Sequence, residues 1–286
     1  IWISEIMLQQ TQVATVLPRY AAWFEHFPDL QALAAAETDA VMKAWEGLGY
    51  YRRARLMHQA ARQIVEKHAG RFPQRFEEIV RLPGIGRSTA GAIASICFGE
   101  AAPVLDGNVR RVLTRWHGRA MKESELWQAA RAAIAQASEP GEWNQAMMEL
   151  GATVCLPRKP RCDVCPVAGD CASAHQAMPD TAKAKPIVRG LHWRVHLHAC
   201  PERGIWLVQR PASGIWAGLW TPPISETDAL SRAPDHIHRL SHRRLHLYLV
   251  EESAEPQGDG RWTRLDLLPA LPTGIRRLLE RCGALA

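Results

Sequence analysis

Four cysteines lie close together in the sequence and could bind one metal centre. They are Cys155, Cys162, Cys165 and Cys171, separated by six, two and five residues. Thiolates that converge on one point repel each other unless a cation lies between them, and such soft ligands select zinc or an iron–sulfur cluster. Zinc sites usually combine paired short C-x2-4-C hairpins, and only one such hairpin is present here. The spacing therefore favours a cluster over a single zinc ion.

The same segment carries a group of basic residues. Arg158, Lys159 and Arg161 lie between the first two cysteines. A metal centre that holds this loop rigid would present its charges to phosphates, although a solvated basic loop would have the same composition. The alternative to a metal centre is that the four cysteines are unrelated and form no common site. We expect no disulfide, because no signal peptide opens the chain.

A second motif, LPGIGRS at 82–88, is suited to binding an anion. It lies between a predicted short helix at 76–81 and a long apolar helix. Gly84 and Gly86, on either side of Ile85, allow a tight hairpin that exposes backbone N–H groups. At the start of the following helix, such donors suit a DNA phosphate. By itself, the motif could be only a helix–turn–helix connection.

Together these motifs resemble a family of DNA repair enzymes. The cysteine spacing, the hairpin and VLDGNVRR at 104–111 are similar to the endonuclease III superfamily of helix-hairpin-helix DNA glycosylases, whose cluster is [4Fe–4S]. Within it, IWISEIMLQQTQV at 1–13, GLGYYRRAR at 47–55 and WNQAMMELG at 143–151 resemble the MutY family of adenine DNA glycosylases. Endonuclease III has a lysine nucleophile where this chain has Ser88, and it lacks a domain matching 190–286. The resemblance covers nearly the whole chain and implies a [4Fe–4S] cofactor.

The resemblance implies roles for two carboxyl groups. Adenine is a poor leaving group and must be protonated as its N-glycosidic bond breaks, while the sugar gains oxocarbenium character and needs a carboxylate beside it. Glu5 matches the family's general acid, which protonates N7 of adenine, and burial would raise its pKa. Asp106 matches the residue that stabilises the sugar cation and transiently bonds to it, and Asn108 matches one that positions Asp106 and the sugar. Without the resemblance, Glu5 is a first-turn residue favoured by the helix dipole and Asp106 is a helix N-cap.

The resemblance also implies contacts with DNA and with an extruded base, which must leave the stack to be cut. Gln10 and Tyr50 match residues that wedge into the duplex, although a mid-chain aromatic is more often part of the core. Ser88 matches a position lining the catalytic pocket, and Gln145 matches one near the adenine edge. The predicted DNA-contacting residues are Gln10, Tyr50, Gly84, Gly86, Ser88, Arg158, Lys159 and Arg161.

The C-terminal part resembles a Nudix-like domain. QRPASGIWAGLWTPP at 209–223 carries this similarity. Nudix hydrolases have a metal-binding G-x5-E-x7-R-E-x2-E-E run, but Ile224 occupies the first glutamate position after Gly218. The domain is therefore expected to bind its target without hydrolysing it.

In the family, this domain recognises 8-oxoguanine with a loop of sequence FSH. The matching residues are Leu240, Ser241 and His242, so the aromatic is absent. We expect Leu240 to press on the duplex, and Ser241 and His242 to hydrogen-bond to the altered edge of 8-oxoguanine. Alternatively, even spacing indicates one polar strand face, formed by His236, His238, His242 and His246.

The bulk composition permits a nucleic-acid partner. The chain has 286 residues and a net charge of +6, and its pI is near 9.1. Basic charge of this size is compatible with DNA binding but does not establish it. No apolar run approaches the length of a membrane span. We expect a monomer in the bacterial cytoplasm, associated with the nucleoid through DNA, and an upstream segment before Ile1 because the chain does not begin with methionine.

The elements that must position these residues fall into two classes. Amphipathic stretches predict helices from Ser4 as N-cap to Val13, and at 30–45, 51–68, 88–98, 109–116, 124–136 and 143–154. Alternating patterns predict strands at 192–200, 205–209, 237–240 and 246–251. The predicted fold class is α + (α+β): an all-helical helix-hairpin-helix glycosylase domain with an iron–sulfur cluster at 1–177, its N-terminus incomplete and its cluster loop at 155–171. A linker at 178–189 and a smaller Nudix-like α/β domain at 190–286 follow.

The predicted function is that of a monofunctional adenine DNA glycosylase in base excision repair, acting on adenine opposite 8-oxoguanine or guanine in duplex DNA. One alternative is a bifunctional glycosylase with lyase activity on thymine glycol or other pyrimidines, which a lysine at position 88 would favour. Another is a non-catalytic iron–sulfur DNA-binding protein, which loss of either carboxyl group would favour.

Overall fold

The computed structural model describes residues 1–176, 188–241 and 243–285. They form two compact units, which do not follow the order of the chain. The first contains residues 1–12 and 59–176, and the second contains 13–58 together with the described residues from 188 onward. Residues 178–187 of the predicted linker at 178–189 lie outside the described residues. The predicted boundary between two domains at this linker stays a prediction. Arg189 already belongs to a strand.

Helices dominate the N-terminal part of the chain, as predicted. Their bounds are α1 (Trp2–Leu8), α2 (Val13–His26), α3 (Leu30–Ala35), α4 (Thr38–Ala44), α5 (Arg52–Lys67), α6 (Phe76–Ile79), α7 (Arg87–Phe98), α8 (Gly107–Trp116), α9 (Glu123–Ile134), α10 (Pro140–Glu149) and, near the C-terminus, α11 (Thr273–Arg281). A π-helical turn (Leu150–Val154) extends α10, and 3-10 turns occupy Cys162–Val164, Ala168–Asp170 and Leu265–Leu267. The predicted helices from residue 51 to residue 154 are confirmed as α5 and α7 to α10.

The first predicted helix is wrong in its cap and its length. Ser4 lies inside α1, where its hydroxyl donates to the carbonyl oxygen of Ile1 at 2.7 Å. The helix ends at Leu8, and the backbone then turns through Gln10, which has a φ of 57°. A left-handed residue cannot continue a right-handed helix, so α2 starts afresh at Val13.

The helix predicted at 30–45 is divided in two. Asp29 caps α3 by accepting a hydrogen bond from the backbone N–H of Ala32 at 2.7 Å. The backbone is extended at Ala36 and Glu37, which separates α3 from α4. The apolar periodicity continues across this break because both helices bury residues of the same hydrophobic stripe, Leu33 in α3 and Val41 in α4.

Small residues in α7 allow the segment before α8 to approach closely. Ala90, Gly91 and Ala92 are buried, and a Cβ atom on Gly91 would overlap the carbonyl oxygen of Pro103. Only glycine permits this approach. The core shared by α7 to α10 and this segment contains Ala92, Val104, Leu105, Val109, Val112, Leu113, Leu126, Trp127, Ala130 and Met147. The segment is therefore fixed immediately before Asp106, the first residue before α8.

The C-terminal part of the second unit contains two small sheets. Its strands are β1 (Arg189–Leu197), β2 (Ala199–Cys200), β3 (Gly204–Gln209), β4 (Trp220–Thr221), β5 (Ile224–Thr227), β6 (His236–Arg239), β7 (Arg243–Glu251) and β8 (Gly260–Thr263). One sheet has the order β5-β1-β7-β6, and in the other β3 pairs with β2, β4 and β8. β1 and β7 are parallel, whereas β6 and β7 form an antiparallel hairpin. The strands predicted at 205–209, 237–240 and 246–251 and the α + (α+β) fold class are confirmed. The strand predicted at 192–200 is divided at His198 into β1 and β2, which belong to different sheets.

The core of these sheets is closed by α11. Along β1, Trp193, Val195 and Leu197 are buried, which is the alternation expected of a strand with one face on a core. The same core includes Ile275 and Leu278 of α11. The C-terminal helix is therefore integral to the fold of this part of the chain.

The histidines of the β6–β7 hairpin do not share one face. His236 of β6 is opposite Leu247 of β7, and Leu247 is fully buried. His236 and His238, two positions along the strand, therefore point to the core face. His246, one position from Leu247, points to the opposite face. The predicted single polar face is wrong because a hairpin interrupts the even spacing, and His242 lies outside the described residues.

Candidate active site

Glu5 lies half-buried on α1. Ile6 and Met7 are only 2% and 0% exposed and anchor the helix in the core, and Glu5 precedes them. Burial raises the pKa of Glu5 above its ordinary value, and the charge of Asp106 raises it further. A carboxyl group in this setting keeps its proton to higher pH than an exposed glutamate and can donate it to a bound base.

Asp106 is the N-cap of α8. Its carboxylate accepts a hydrogen bond from the backbone N–H of Val109 at 2.7 Å. The positive end of the helix dipole favours a negative charge at this position. Because Asp106 also acts electrostatically on Glu5, the structure brings the two predicted catalytic carboxyl groups into one site. They differ in their surroundings, and their catalytic roles stay predictions.

Ser88 holds the turn that leads into Asp106. Its hydroxyl oxygen accepts a hydrogen bond from the backbone N–H of Leu105 at 3.1 Å. The neighbouring Thr89 accepts one from the side chain of Gln9 at 3.2 Å, which links the end of α1 to α7. The first turn of α7 therefore contacts both parts of the chain that carry the carboxyl groups.

Asn144 supports the same turn from the other side, and the sequence interpretation does not identify it. It is 3% exposed. Its amide group donates to Ser95 Oγ at 2.8 Å and to the carbonyl oxygen of Ala102 at 2.9 Å, and its Oδ1 accepts from the backbone N–H of Val104 at 3.1 Å. An asparagine among apolar helix positions, next to Trp143, is the sequence signal that could have found it, because a buried amide needs several partners.

Asn108 is linked to the cysteine segment through Arg111. The guanidinium of Arg111 donates to Asn108 Oδ1 at 2.9 Å, to the carbonyl oxygen of Gly151 at 2.6 Å and to that of Cys155 at 2.8 Å. Burial lowers the pKa of Arg111. One side chain therefore fixes Asn108 relative to both the π-helical turn and the first cysteine.

The four predicted ligand cysteines line one pocket. Cys155, Cys162, Cys165 and Cys171 surround it together with residues that include Arg115 and Pro160. Among the described residues, no three histidine, cysteine or acidic side chains are gathered closely enough to hold a single metal ion. Soft thiol donors spread around a pocket are the set that an iron–sulfur cluster requires, so the residues present fit that cofactor.

Arg115 ties the cysteine segment to α8. It is 3% exposed and donates to Cys155 Sγ at 3.3 Å, to the carbonyl oxygen of Leu156 at 2.7 Å and to that of Pro157 at 2.8 Å. A hydrogen-bond donor to a ligand sulfur is a known means of tuning an iron–sulfur centre. The basic residues Arg158, Lys159 and Arg161 are exposed next to these contacts.

The predicted hairpin forms a turn between α6 and α7. Gly84 has a φ of 78°, and the backbone N–H of Ile85 donates to the carbonyl oxygen of Leu82 at 3.2 Å. Ile85 is 5% exposed, whereas Gly84 and Gly86 are exposed. The buried isoleucine anchors the turn and leaves the glycine backbone open to an anion.

The two predicted wedge residues share an unusual backbone. Gln10 and Tyr50 have φ values of 57° and 47°, a region that non-glycine residues seldom adopt. Both side chains are exposed, Tyr50 by 50%. Tyr50 is therefore not a core aromatic, and strained exposed residues of this kind cluster at functional sites.

The remaining predicted residues lie on the surface or at a hairpin end. Gln145 is exposed on α10, and its amide donates to the carbonyl oxygen of Gly141 at 3.3 Å. Ser241 is exposed at the tip of the β6–β7 hairpin, while Leu240 packs against the core of the sheets. This placement favours support of the hairpin by Leu240 over contact with DNA. His242 lies outside the described residues.

Comparison with known protein families identifies three segments. Residues 3–137 match the HhH-GPD superfamily of base excision DNA repair proteins. Residues 155–171 match the iron–sulfur binding domain of endonuclease III, and residues 194–281 match the NUDIX domain. The second match confirms the prediction of an iron–sulfur cofactor.

Curated relatives share one description. The adenine DNA glycosylase of Homo sapiens is 39% identical over 277 residues, covering 78% of this chain and 50% of that protein. That of Buchnera aphidicola subsp. Baizongia pistaciae is 38% identical over 241 residues, covering 80% and 68%. The chain spans about half the length of the human and rat relatives that it matches.

Solved structures are similar in fold to part of this chain. A thermostable thymine-DNA glycosylase is similar with a TM-score of 0.56 and 26% identity, covering 60% of this chain and 81% of that one. Endonuclease III in a non-covalent DNA complex is similar with a TM-score of 0.54 and 22% identity, covering 60% and 82%. Because the identity to endonuclease III is below 25%, this similarity concerns the fold alone. Within the described residues, no helix is both long enough and apolar enough to cross a membrane.

Proposed function

Because the chain belongs to the adenine DNA glycosylase family, we propose that it hydrolyses the N-glycosidic bond of adenine in duplex DNA. The observation that carries this proposal is the pairing of Glu5, whose pKa burial raises, with Asp106 at the N-terminus of α8. The proposed substrates are adenine opposite 8-oxoguanine and adenine opposite guanine. The proposed partner is duplex DNA, bound by a monomer in the bacterial cytoplasm.

Bond cleavage begins with a proton transfer. Glu5 donates its proton to N7 of an extruded adenine, and the bond between C1′ and N9 breaks with its electron pair leaving on the base. Positioned general acids of this kind accelerate such steps by about 10²–10⁴-fold. A half-buried glutamic acid suits this role because it still carries its proton at a pH where an exposed glutamate would have lost it.

The sugar cation is stabilised by Asp106. Its carboxylate lies beside C1′ and forms a transient bond to it, and water then attacks C1′ and displaces the carboxylate to leave an abasic site. One proton of this water returns to Glu5, which restores the starting state. Asn108, held by Arg111, positions the carboxylate and the sugar. Ser88 has no amine with which to form a Schiff base, so the abasic strand stays intact.

DNA binding is assigned to the hairpin and to the cysteine segment. Cys155, Cys162, Cys165 and Cys171 are the proposed ligands of a [4Fe–4S] cluster, which when bound would hold this segment together. The exposed Arg158, Lys159 and Arg161 then face phosphates, and the backbone of Gly84 and Gly86 binds a further phosphate.

Recognition of 8-oxoguanine is assigned to the β6–β7 hairpin. Ser241 and His242 contact the edge of the base, whose N7 carries a proton that guanine lacks, and Leu240 anchors the hairpin in the core. Replacing Ser241 and His242 together with alanine should reduce activity on 8-oxoguanine:A far more than on G:A. Ser231→Ala, at an exposed serine of the same unit, is the matched control. Equal losses on both duplexes would assign the hairpin to structure.

The proposed function is tested with duplexes containing 8-oxoguanine:A, G:A or thymine glycol. After incubation, each duplex is analysed with and without alkali, which cleaves abasic strands. We expect cleavage at adenine only after alkali, and none at thymine glycol. Cleavage at thymine glycol, or at any site without alkali, would favour the bifunctional pyrimidine glycosylase. Tight binding with no base release from any duplex would favour the non-catalytic DNA-binding protein.

A further inference from the structure

The loop at 47–50, which carries the candidate wedge Tyr50, has a conformation that needs support. Gly47 and Gly49 have φ values of 93° and 68°, and Tyr50 follows with a φ of 47°. A tyrosine in the left-handed region is strained, and it persists only when its surroundings determine the backbone. Its ring is half-exposed, so burial of the ring alone does not fix the loop.

Support comes first from the residues on either side of the loop within the helical segment. The guanidinium of Arg53 donates to the carbonyl oxygens of Leu48 and Gly49 at 3.1 and 3.2 Å. The indole N–H of Trp45 donates to the carbonyl oxygen of Gly49 at 3.0 Å. The same guanidinium lies 5.5 Å from the ring centroid of Tyr50. These contacts fix the carbonyl groups of the loop but leave its two ends to be held by other groups.

Both ends of the loop are held by the C-terminal segment of the same unit. Glu46, directly before the loop, accepts two hydrogen bonds from the guanidinium of Arg276 at 2.9 and 2.6 Å and one from the backbone N–H of Leu271 at 3.3 Å. Tyr51, directly after it, donates from its hydroxyl to the carbonyl oxygen of Leu271 at 3.4 Å. The backbone of one buried residue, Leu271, is therefore bonded to both residues that flank the loop.

The ion pair between Glu46 and Arg276 is only partly exposed to water. The side chain of Arg276 is 31% exposed and that of Glu46 is 18% exposed. Lys43 adds a contact to the second oxygen of Glu46 at 2.9 Å. A paired and partly buried carboxylate adds little to stability, but it specifies one geometry, since removal of either partner leaves a charge uncompensated.

The helix that supplies Arg276 also contacts the strand that leads to the recognition hairpin. A Cβ atom on Gly274 of α11 would lie 2.7 Å from Cγ of His238, so β6 and the first turn of α11 are in direct contact. β6 ends at Arg239, immediately before the hairpin residues Leu240 and Ser241. A continuous set of contacts thus runs from the hairpin, through β6 and α11, to the loop of Tyr50.

We propose that Arg276 is a positioning residue for Tyr50, which it holds through Glu46 in the conformation required at the duplex. The C-terminal segment then has a second role beside lesion recognition: it shapes the loop that enters DNA. This inference rests on the proposed function for its consequence in catalysis, but its structural part is measurable in the free protein.

The first test measures amide hydrogen exchange without DNA. Arg276→Gln should accelerate exchange at 47–52 by about tenfold or more, as expected for loss of a hydrogen bond to a charged group. Arg277→Gln, at an exposed arginine of the same helix, is the matched control and should leave exchange at 47–52 unchanged. Peptides from β1 serve as an internal reference for global opening. Unchanged exchange at 47–52 in a folded Arg276→Gln variant would overturn the inference.

The second test is a double-mutant cycle on single-turnover adenine release from 8-oxoguanine:A duplexes. If Arg276 acts through Tyr50, Arg276→Gln should reduce the rate in the parent chain but by less than about twofold in a Tyr50→Ala background. Glu46→Gln should reproduce both results, which covers the case in which Arg276→Gln fails to fold. Independent, multiplicative losses would overturn the inference. A parent chain that releases no adenine would refute the proposed function, and the exchange experiment would still decide the inference.

Discussion

At the scale of single residues, surroundings give two similar carboxyl groups different properties. Glu5 is partly withdrawn from water on α1, and burial favours its neutral form. Asp106 accepts a backbone N–H at the positive end of α8. One group is thus arranged to hold a proton and the other to carry a charge, which is the division of roles that glycosidic bond cleavage needs.

The raised pKa of Glu5 has a consequence for stability. The folded chain binds this proton more tightly than the unfolded chain, so the contribution of Glu5 to stability is greatest below its unfolded pKa and is lost as pH rises through its folded pKa. Glutamine does not ionise, so Glu5→Gln removes this loss of stability at higher pH. We expect the melting temperature of the variant, relative to the parent, to rise as pH increases above about 4, where glutamate in the unfolded chain begins to ionise. A difference between Glu5→Gln and the parent that does not vary with pH would contradict the buried-acid assignment.

Asp106 has a structural role and a chemical role that two substitutions separate. Asparagine keeps a side-chain oxygen for the N–H of Val109, so Asp106→Asn should melt close to the parent and yet release no adenine. Asp106→Ala also loses the cap, and its free energy of unfolding should fall by about 1 kcal/mol. Thermal melting and single-turnover assays of both variants test this pair of outcomes. Normal release by Asp106→Asn would show that the carboxylate is not required.

At the scale of elements, the position of Asp106 depends on how the segment at 102–105 is held. Gly91 lets this segment approach α7, and Ser88 and Asn144 bond to its backbone from two sides. These contacts explain how Ser88, Gly91 and Asn144 influence the position of Asp106.

Asn144 offers the clearest test of this support. Asn144→Ala leaves the buried N–H of Val104 and the carbonyl oxygen of Ala102 without their partner, which should destabilise the protein by about 2–3 kcal/mol. Its neighbour Gln145 is exposed, so Gln145→Ala should change stability by less than about 0.5 kcal/mol. Urea denaturation of the two variants provides the comparison. Equal stabilities would mean that the Asn144 network contributes little.

The cysteine segment should behave as a second supporting element. The protein should be brown and contain about four irons per chain. Cys162→Ala should lose iron and weaken DNA binding through the basic loop, whereas Cys97→Ala, at an exposed cysteine outside the pocket, should keep both. Iron analysis and DNA-binding isotherms test this. Stoichiometric zinc without iron after anaerobic purification would contradict the cluster assignment.

At the scale of the whole molecule, the sequence predicts the types of element and the fold class better than it predicts the contacts that hold the site residues in place. Periodicity locates α5 and α7 to α10 because each buries one apolar stripe, and alternation locates β1 and β7. The same patterns miss the break at Gln10, since left-handed backbone leaves no periodic signal. They also place His246 with His236, because spacing along the chain does not reveal that a hairpin reverses the strand. The patterns also do not identify Asn144 and Arg276, because the hydrogen-bond partners of these two residues lie far away in the sequence.

The grouping of residues 13–58 with the C-terminal segment is likewise not evident from the sequence. Asp39 on α4 accepts hydrogen bonds from the indole N–H of Trp220 at 3.2 Å and from Arg261 at 3.1 Å. Together with the Glu46–Arg276 pair, these contacts join α4 and the residues just after it to the sheet formed by β2, β3, β4 and β8 and to α11. Such long-range polar contacts follow from the folded geometry and not from local composition.

The central claim is that Glu5 supplies the proton that releases adenine. The most direct measurement compares the parent with Glu5→Gln on one 8-oxoguanine:A duplex, recording binding affinity and the single-turnover rate of adenine release. Loss of a transition-state proton donor should lower the rate by at least about 10²-fold while leaving duplex affinity within about threefold. Adenine release by Glu5→Gln at a rate close to that of the parent would contradict the account.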